Sequence, residues 1–313
     1  MTSKPFTGVL TALATPFNPD FSVDVASLKK LLQLQKNSGL HGVVVCGTTG
    51  ESPTLTLAEK ELLVSTALEF QSDSFRIYVG TGSNSTAETI ETSRHFATFK
   101  AHNQTPSGIM VVTPYYNKPT QTGLTEHFVA VARAVPNTPV CLYNVPGRTG
   151  CVLQAKTLVT IAKTCANVVA IKEAAGDVRV ISEMSLALKD AQLTERVSIL
   201  SGDDPTFAPA LLCGASGVIS VTTHLIPGAM LDMWRAAQKG DLSTLTRLHL
   251  ATYPVNAQLF CAPNPIPLKW ALSSMGVMHN ILRPPLTILE ENEVRTVAQA
   301  IETVKNSGVD LLN

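Results

Sequence analysis

Eight short apolar runs rich in β-branched residues recur along the chain, and their rhythm narrows the choice of fold more than any other feature. The runs are Gly8–Ala14, Gly42–Cys46, Arg76–Gly80, Gly108–Val112, Val140–Tyr143, Val168–Lys172, Val197–Leu200 and Gly217–Val221. Each is followed by a polar turn and a stretch of helical periodicity. The spacing of roughly 25 to 35 residues is that of one strand-plus-helix unit. Strands that are apolar throughout are covered on both faces, which implies a parallel sheet. Eight such units predict an α/β fold, a closed (β/α)8 barrel. An open doubly wound sheet would place a glycine-rich phosphate turn after the first strand. That strand runs instead into Thr15-Pro16-Phe17-Asn18.

The intervening stretches carry helix signals. Asp24 to Asn37 places Val25, Leu28, Leu31, Leu32 and Gln35 at helical spacing, with Asp24 as N-cap and Gly39 as stop. Thr56–Phe70, Thr86–Phe99 and Gly123–Ala134 read the same way. After Val221 no further strand run follows. Ala229–Gln238, Leu242–Phe260, Pro267–Gly276 and Glu290–Asn306 predict helices. The expected organisation is therefore a catalytic barrel over residues 1–227 and a C-terminal helical region, 228–313, packed on it.

Composition excludes several classes. With 24 basic and 24 acidic residues the net charge is zero, so nothing marks the chain for nucleic acid or an anionic membrane. Hydrophobic residues make up 45% and charged residues 15%, which is globular and hints at surface buried in an oligomer. The six cysteines (46, 141, 151, 165, 213, 261) form no CxxC and no zinc spacing; they read as buried, reduced thiols of a cytoplasmic protein. No signal-peptide core and no membrane-length apolar run is present.

Barrel chemistry sits at the C-terminal ends of strands. Strand 2 ends in Gly47-Thr48-Thr49-Gly50-Glu51, strand 4 in Thr113-Pro114-Tyr115-Tyr116-Asn117, strand 5 in Tyr143-Asn144-Val145-Pro146-Gly147-Arg148, strand 6 in Ile171-Lys172-Glu173, and strand 7 in Ser201-Gly202-Asp203-Asp204. Lys172 stands out, because a lysine closing an apolar strand is seldom buried without a partner or a task. An amine shielded from water sheds its proton more readily and can attack a ketone to form an imine. The competing reading pairs Lys172 with Glu173 or leaves it solvated at the rim. Tyr143, at the same depth on the neighbouring strand, can deliver the proton that imine formation needs, with Thr48 and Tyr116 as a relay. Otherwise it is a lining aromatic.

The remaining motifs are weaker alone. Gly47-Thr48-Thr49-Gly50 can seat a small carboxylate on backbone N–H groups, or be a bare turn. Arg148 offers a planar fork to a carboxylate, or a surface salt bridge. Asp203-Asp204-Pro205 reads as a helix cap rather than a metal pair, and Asn264-Pro265-Ile266-Pro267 as a rigid structural turn.

Seven strings in register across nearly the whole chain resemble the dihydrodipicolinate synthase family: GTTGES (47–52), TPYYNKPTQ (113–121), YNVPGRTG (143–150), IKEA (171–174), SGDD (201–204), GVISV (217–221) and NPIPLKW (264–270). The tandem Tyr115-Tyr116 and Arg148 distinguish this pattern from the sibling neuraminate and sugar-acid lyases. The resemblance implies condensation of pyruvate, held as an imine on Lys172, with L-aspartate-4-semialdehyde to give 4-hydroxy-tetrahydrodipicolinate on the way to diaminopimelate and lysine. No metal or organic cofactor is expected. The resemblance assigns acid/base work to Tyr143, with Thr48 and a Tyr116 from the neighbouring subunit as its relay. Thr49 and the Ile219 backbone would hold pyruvate, Arg148 the semialdehyde carboxylate, and Gly202 would line the pocket. A homotetramer, a dimer of tight dimers, is the implied assembly.

A lysine regulatory site is also implied, at Ser52, Pro53, Asn84, Glu88 and Tyr115. Two positions that are histidine in strongly inhibited members are Leu57 and Lys60 here. Cationic Lys60 should repel lysine, so weak feedback is expected. Two alternatives remain: a pyruvate lyase of sialic or sugar acids, and a non-catalytic barrel that binds a small acid.

Overall fold

The computed structural model describes residues 4–312. Eight parallel strands follow one another in chain order round a closed barrel. They are β1 (Gly8–Ala12), β2 (Gly42–Val45), β3 (Arg76–Gly80), β4 (Gly108–Val112), β5 (Val140–Asn144), β6 (Val168–Glu173), β7 (Ser198–Ser201) and β8 (Gly217–Ser220). Every run read from the sequence is a strand, and the differences lie at the ends. β1 stops at Ala12, ahead of Pro16. β8 stops at Ser220, because Val221 turns into the helical region and a 3-10 turn follows at Thr222–His224. β5 and β6 each run one residue further, to the pair Asn144 and Glu173.

By compactness the chain divides into two units, one of Met1–Gly8 with Ile77–Ile219 and one of Val9–Arg76 with Ser220–Asn313. In the first, β4, β5 and β6 bury Ile109, Val111, Val140, Leu142, Val168 and Ile171 against Leu124, Phe128 and Val131 of helix Gln121–Ala134 and Leu158 and Ile161 of helix Ala155–Thr164. Helices Thr86–Thr98 and Val178–Asp190 belong to the same unit.

In the second unit the helix Val25–Asn37 starts where its sequence says. The Asp24 carboxylate accepts from the Ser27 N–H at 3.0 Å, satisfying a donor that the first turn leaves open. The helix ends before Gly39, whose φ of +76° suits glycine. Helix Leu57–Leu68 begins with a capping box between Thr56 and Glu59. The C-terminal part is helical, with segments Pro227–Lys239, Leu242–Gln258, Ile266–Ser274 and Glu291–Asn306. No helix among the described residues is long and apolar enough to cross a membrane.

The described cysteines are all free thiols. Cys46, Cys141, Cys151 and Cys165 are buried as expected, but Cys213 is only partly covered and Cys261 is exposed. Burial pushes the Cys46 and Cys141 thiols up to about 12, which keeps them protonated and unreactive.

Candidate active site

The register of β5 on β6 sets Tyr143 opposite Lys172 and Asn144 opposite Glu173. Successive side chains on a strand alternate between its faces, so the two pairs point opposite ways. Tyr143 and Lys172 are each only 5% exposed, and the Lys172 Nζ stands 4.6 Å from the centre of the Tyr143 ring. Among the described residues no carboxylate pairs with Lys172, and the Tyr143 hydroxyl has no hydrogen-bond partner.

The alternative pairing of Lys172 with Glu173 fails on geometry. Glu173 accepts from Asn144 Nδ2 at 2.7 Å and from the Ala175 N–H at 2.8 Å. Burial pushes its carboxyl up to about 7 against the pull of those hydrogen bonds. Asn144 in turn accepts from the Leu153 N–H at 2.9 Å, so this outward pair ties the loops that follow β5 and β6.

Gly202 follows β7 and leaves room for the lysine. A Cβ built there would lie 2.6 Å from the Ala174 Cβ and 2.8 Å from the Lys172 Cε. Ile219 is buried in β8, which pairs with β7 at Ser201 and Val218. Arg148 lies exposed on a short helix, Pro146–Thr149, directly after β5. That helix is braced by Thr113, whose hydroxyl donates to the Thr149 hydroxyl at 3.2 Å. Tyr116 is 89% exposed with φ +74°, and Tyr115 is 37% exposed. Nearby in the chain, Asn117 Nδ2 donates to the Asn84 carbonyl at 2.9 Å, and Glu88 accepts from the Ser83 hydroxyl at 3.0 Å.

In the other unit, the turn after β2 is closed by its own backbone. The Gly50 and Ser52 N–H groups donate to the Gly47 carbonyl, and the Glu51 N–H to that of Thr48. The N–H groups of Thr48 and Thr49 have no acceptor among the described residues. Thr49 is buried, Thr48 half-buried, and Ser52 and Pro53 enter a 3-10 turn, Ser52–Thr54. Leu57 is exposed and Lys60 half-buried on the helix that follows.

Sequence reasoning missed three features and misjudged one. Asn264, read as part of a purely structural turn, donates from Nδ2 to the Thr49 hydroxyl at 2.9 Å. Glu51 forms a wholly buried ion pair with Lys269 at 2.5 Å. These contacts join residues more than 200 positions apart in the chain, and no local pattern announces them. His224, just past β8, is fully buried; burial lowers it to about 4, and its Nε2 accepts from the Ala14 N–H. Asp203 is not the cap of the next helix. The cap is Thr206, whose N–H and hydroxyl donate to the Asp203 carboxylate, because the Pro205 turn delays the helix to Phe207.

Residues 5–304 match the model of the dihydrodipicolinate synthetase family. The chain is 42% identical over 306 residues to a 4-hydroxy-tetrahydrodipicolinate synthase of Sorangium cellulosum, covering 97% of this chain and 98% of that one. A solved structure described as the first monomeric dihydrodipicolinate synthase variant superposes with a TM-score of 0.90 at 36% identity, over 97% of each chain. The chloride-inhibited dihydrodipicolinate synthase of Acinetobacter baumannii, solved with pyruvate, gives a TM-score of 0.88 at 37% identity, over 96% of this chain and 99% of that one. A barrel of this topology, a buried amine beside a tyrosine, and likeness along almost the full length lead to one conclusion: the chain belongs to the dihydrodipicolinate synthetase family.

Proposed function

We propose that this protein is a 4-hydroxy-tetrahydrodipicolinate synthase that condenses pyruvate with L-aspartate-4-semialdehyde. The observation that carries the reading is the buried Lys172 amine beside Tyr143, with no carboxylate paired to it among the described residues. The neutral amine attacks the pyruvate keto carbon. The resulting carbinolamine hydroxyl takes a proton from Tyr143 and leaves as water, forming the imine. Loss of a methyl proton gives the enamine, whose terminal carbon attacks the aldehyde. The substrate amine then attacks the imine carbon, closes the ring and releases Lys172. No metal or organic cofactor enters, because the imine itself is the electron sink.

In this reading Thr48 and Tyr116 relay protons to Tyr143. Thr49 and the Ile219 backbone seat pyruvate, Gly202 lines the pocket, and Arg148 holds the semialdehyde carboxylate. Tyr116 comes from a neighbouring copy in a homotetramer built of tight dimers; its 89% exposure supports this. Ser52, Pro53, Asn84, Glu88 and Tyr115 form a lysine site weakened by Leu57 and Lys60. The enzyme works in the cytoplasm.

A coupled assay with pyruvate and the semialdehyde tests the reading directly. Turnover supports it. Imine trapping by borohydride without turnover would move the protein to the sugar-acid lyases, and no trapping would leave a barrel that only binds.

A further inference from the structure

The Gly47–Glu51 turn is held by groups far from it in the chain. Gly50 offers its carbonyl to the Thr15 hydroxyl at 2.8 Å. Thr49 Oγ1 accepts from Asn264 Nδ2, which leaves the threonine proton for another acceptor. Glu51 adopts a left-handed conformation, φ 55° and ψ 37°, that is uncommon for a side chain of its kind. Its carboxylate accepts from Lys269 Nζ at 2.5 Å and from the Arg283 N–H at 3.0 Å. Lys269 is wholly buried, donates also to the Ile281 carbonyl at 2.7 Å, and lies 4.2 Å from the centre of the Phe17 ring.

A buried ion pair is poor evidence of stability, since well-packed apolar residues do as well. It is better at fixing one geometry, because a charge without its partner is intolerable in the interior. Here the geometry concerns the two N–H groups left open, those of Thr48 and Thr49. We infer that Glu51, clamped by Lys269, and Asn264 are positioning residues that hold the Thr48–Thr49 N–H groups and the Thr49 hydroxyl in register for the pyruvate carboxylate. The inference rests on the proposed role of that turn as the carboxylate seat.

The test measures half-saturating pyruvate, by borohydride trapping on Lys172 and by steady-state kinetics. It compares native protein, the joint replacement Glu51→Gln with Lys269→Met, and Asn264→Ala alone. The joint replacement leaves no buried charge unpaired. In folded variants the pyruvate concentration for half-saturation should rise about tenfold or more, the scale of one hydrogen bond to a charged group. Trapping at saturating pyruvate, and half-saturation by the aldehyde substrate, should stay near native. A cooperative thermal transition certifies the fold, and if the joint variant does not fold, Asn264→Ala carries the test. Folded variants with native half-saturation for pyruvate, or with loss of turnover alone, overturn the inference. Native protein that pyruvate does not trap overturns the catalytic reading itself.

Discussion

Tyr143 and Lys172 occupy opposed positions on adjacent parallel strands, with the lysine Nζ 4.6 Å from the centre of the tyrosine ring. The amine thus lies against the tyrosine ring, while Glu173, its chain neighbour, is bound to Asn144 on the other face. Removing the amine should abolish the chemistry outright. Lys172→Ala is expected to show no pyruvate adduct by mass after borohydride and almost no turnover. Tyr143→Phe keeps the ring and its packing but loses the hydroxyl, so turnover should fall by about 10²- to 10⁴-fold with an unchanged melting temperature. Near-native rates in either variant would remove that residue from its role.

Gly202 sets the space around the lysine stem. In Gly202→Ala the new methyl would sit 2.8 Å from the Lys172 Cε and 2.6 Å from the Ala174 Cβ. Overpacking of this kind costs about 1–3 kcal/mol. The Lys172 side chain must also shift, so adduct formation should slow even where the variant folds. Native trapping rates in a folded Gly202→Ala protein would show that the amine tolerates displacement.

Acid should loosen the contact between Glu59 and Arg283. The Arg283 guanidinium donates to both Glu59 oxygens and to the Thr54 carbonyl, and it holds the Glu59 carboxyl down at about 2. A carboxyl whose folded value lies below its unfolded one stabilises the fold above the ordinary carboxylate range. That contribution disappears as pH falls towards 2. Melting temperatures of Arg283→Met and native protein should therefore differ most near neutrality and converge across that acid window. A gap that stays constant with pH would show that the pair is neutral to stability.

Lysine should inhibit weakly. Lys60 carries the same charge as the effector's ammonium group, and Leu57 offers it no hydrogen bond. Half-inhibition is expected above about 1 mM, corresponding to roughly 4 kcal/mol of binding. Tight inhibition, and its persistence in Lys60→His, would separate the response from these two positions.

Much of this protein is legible in its amino-acid sequence. The strand runs were readable because parallel strands in a barrel are buried on both faces and so carry uninterrupted apolar sequence. Asp24, Thr56 and Gly39 announced helix ends because capping is a local affair of three or four residues. Lys172 and Tyr143 stood out because a polar residue closing an apolar strand run is a chain-local fact.

The anchors of the Gly47–Glu51 turn were not legible. Asn264 reads as part of a rigid turn, and Lys269 falls within a stretch of helical periodicity. Their partners, Thr49 and Glu51, lie more than 200 residues away. Likewise only the register of β5 on β6 decided that Glu173 serves Asn144 rather than Lys172. The strand–helix rhythm, the caps and the lysine closing the sixth strand run were all written in local sequence, since each depends on residues within a turn or two of one another. Only the folded interior brought Glu51 to Lys269 and Glu173 to Asn144, because desolvation makes every such pairing a property of the packed core rather than of any segment.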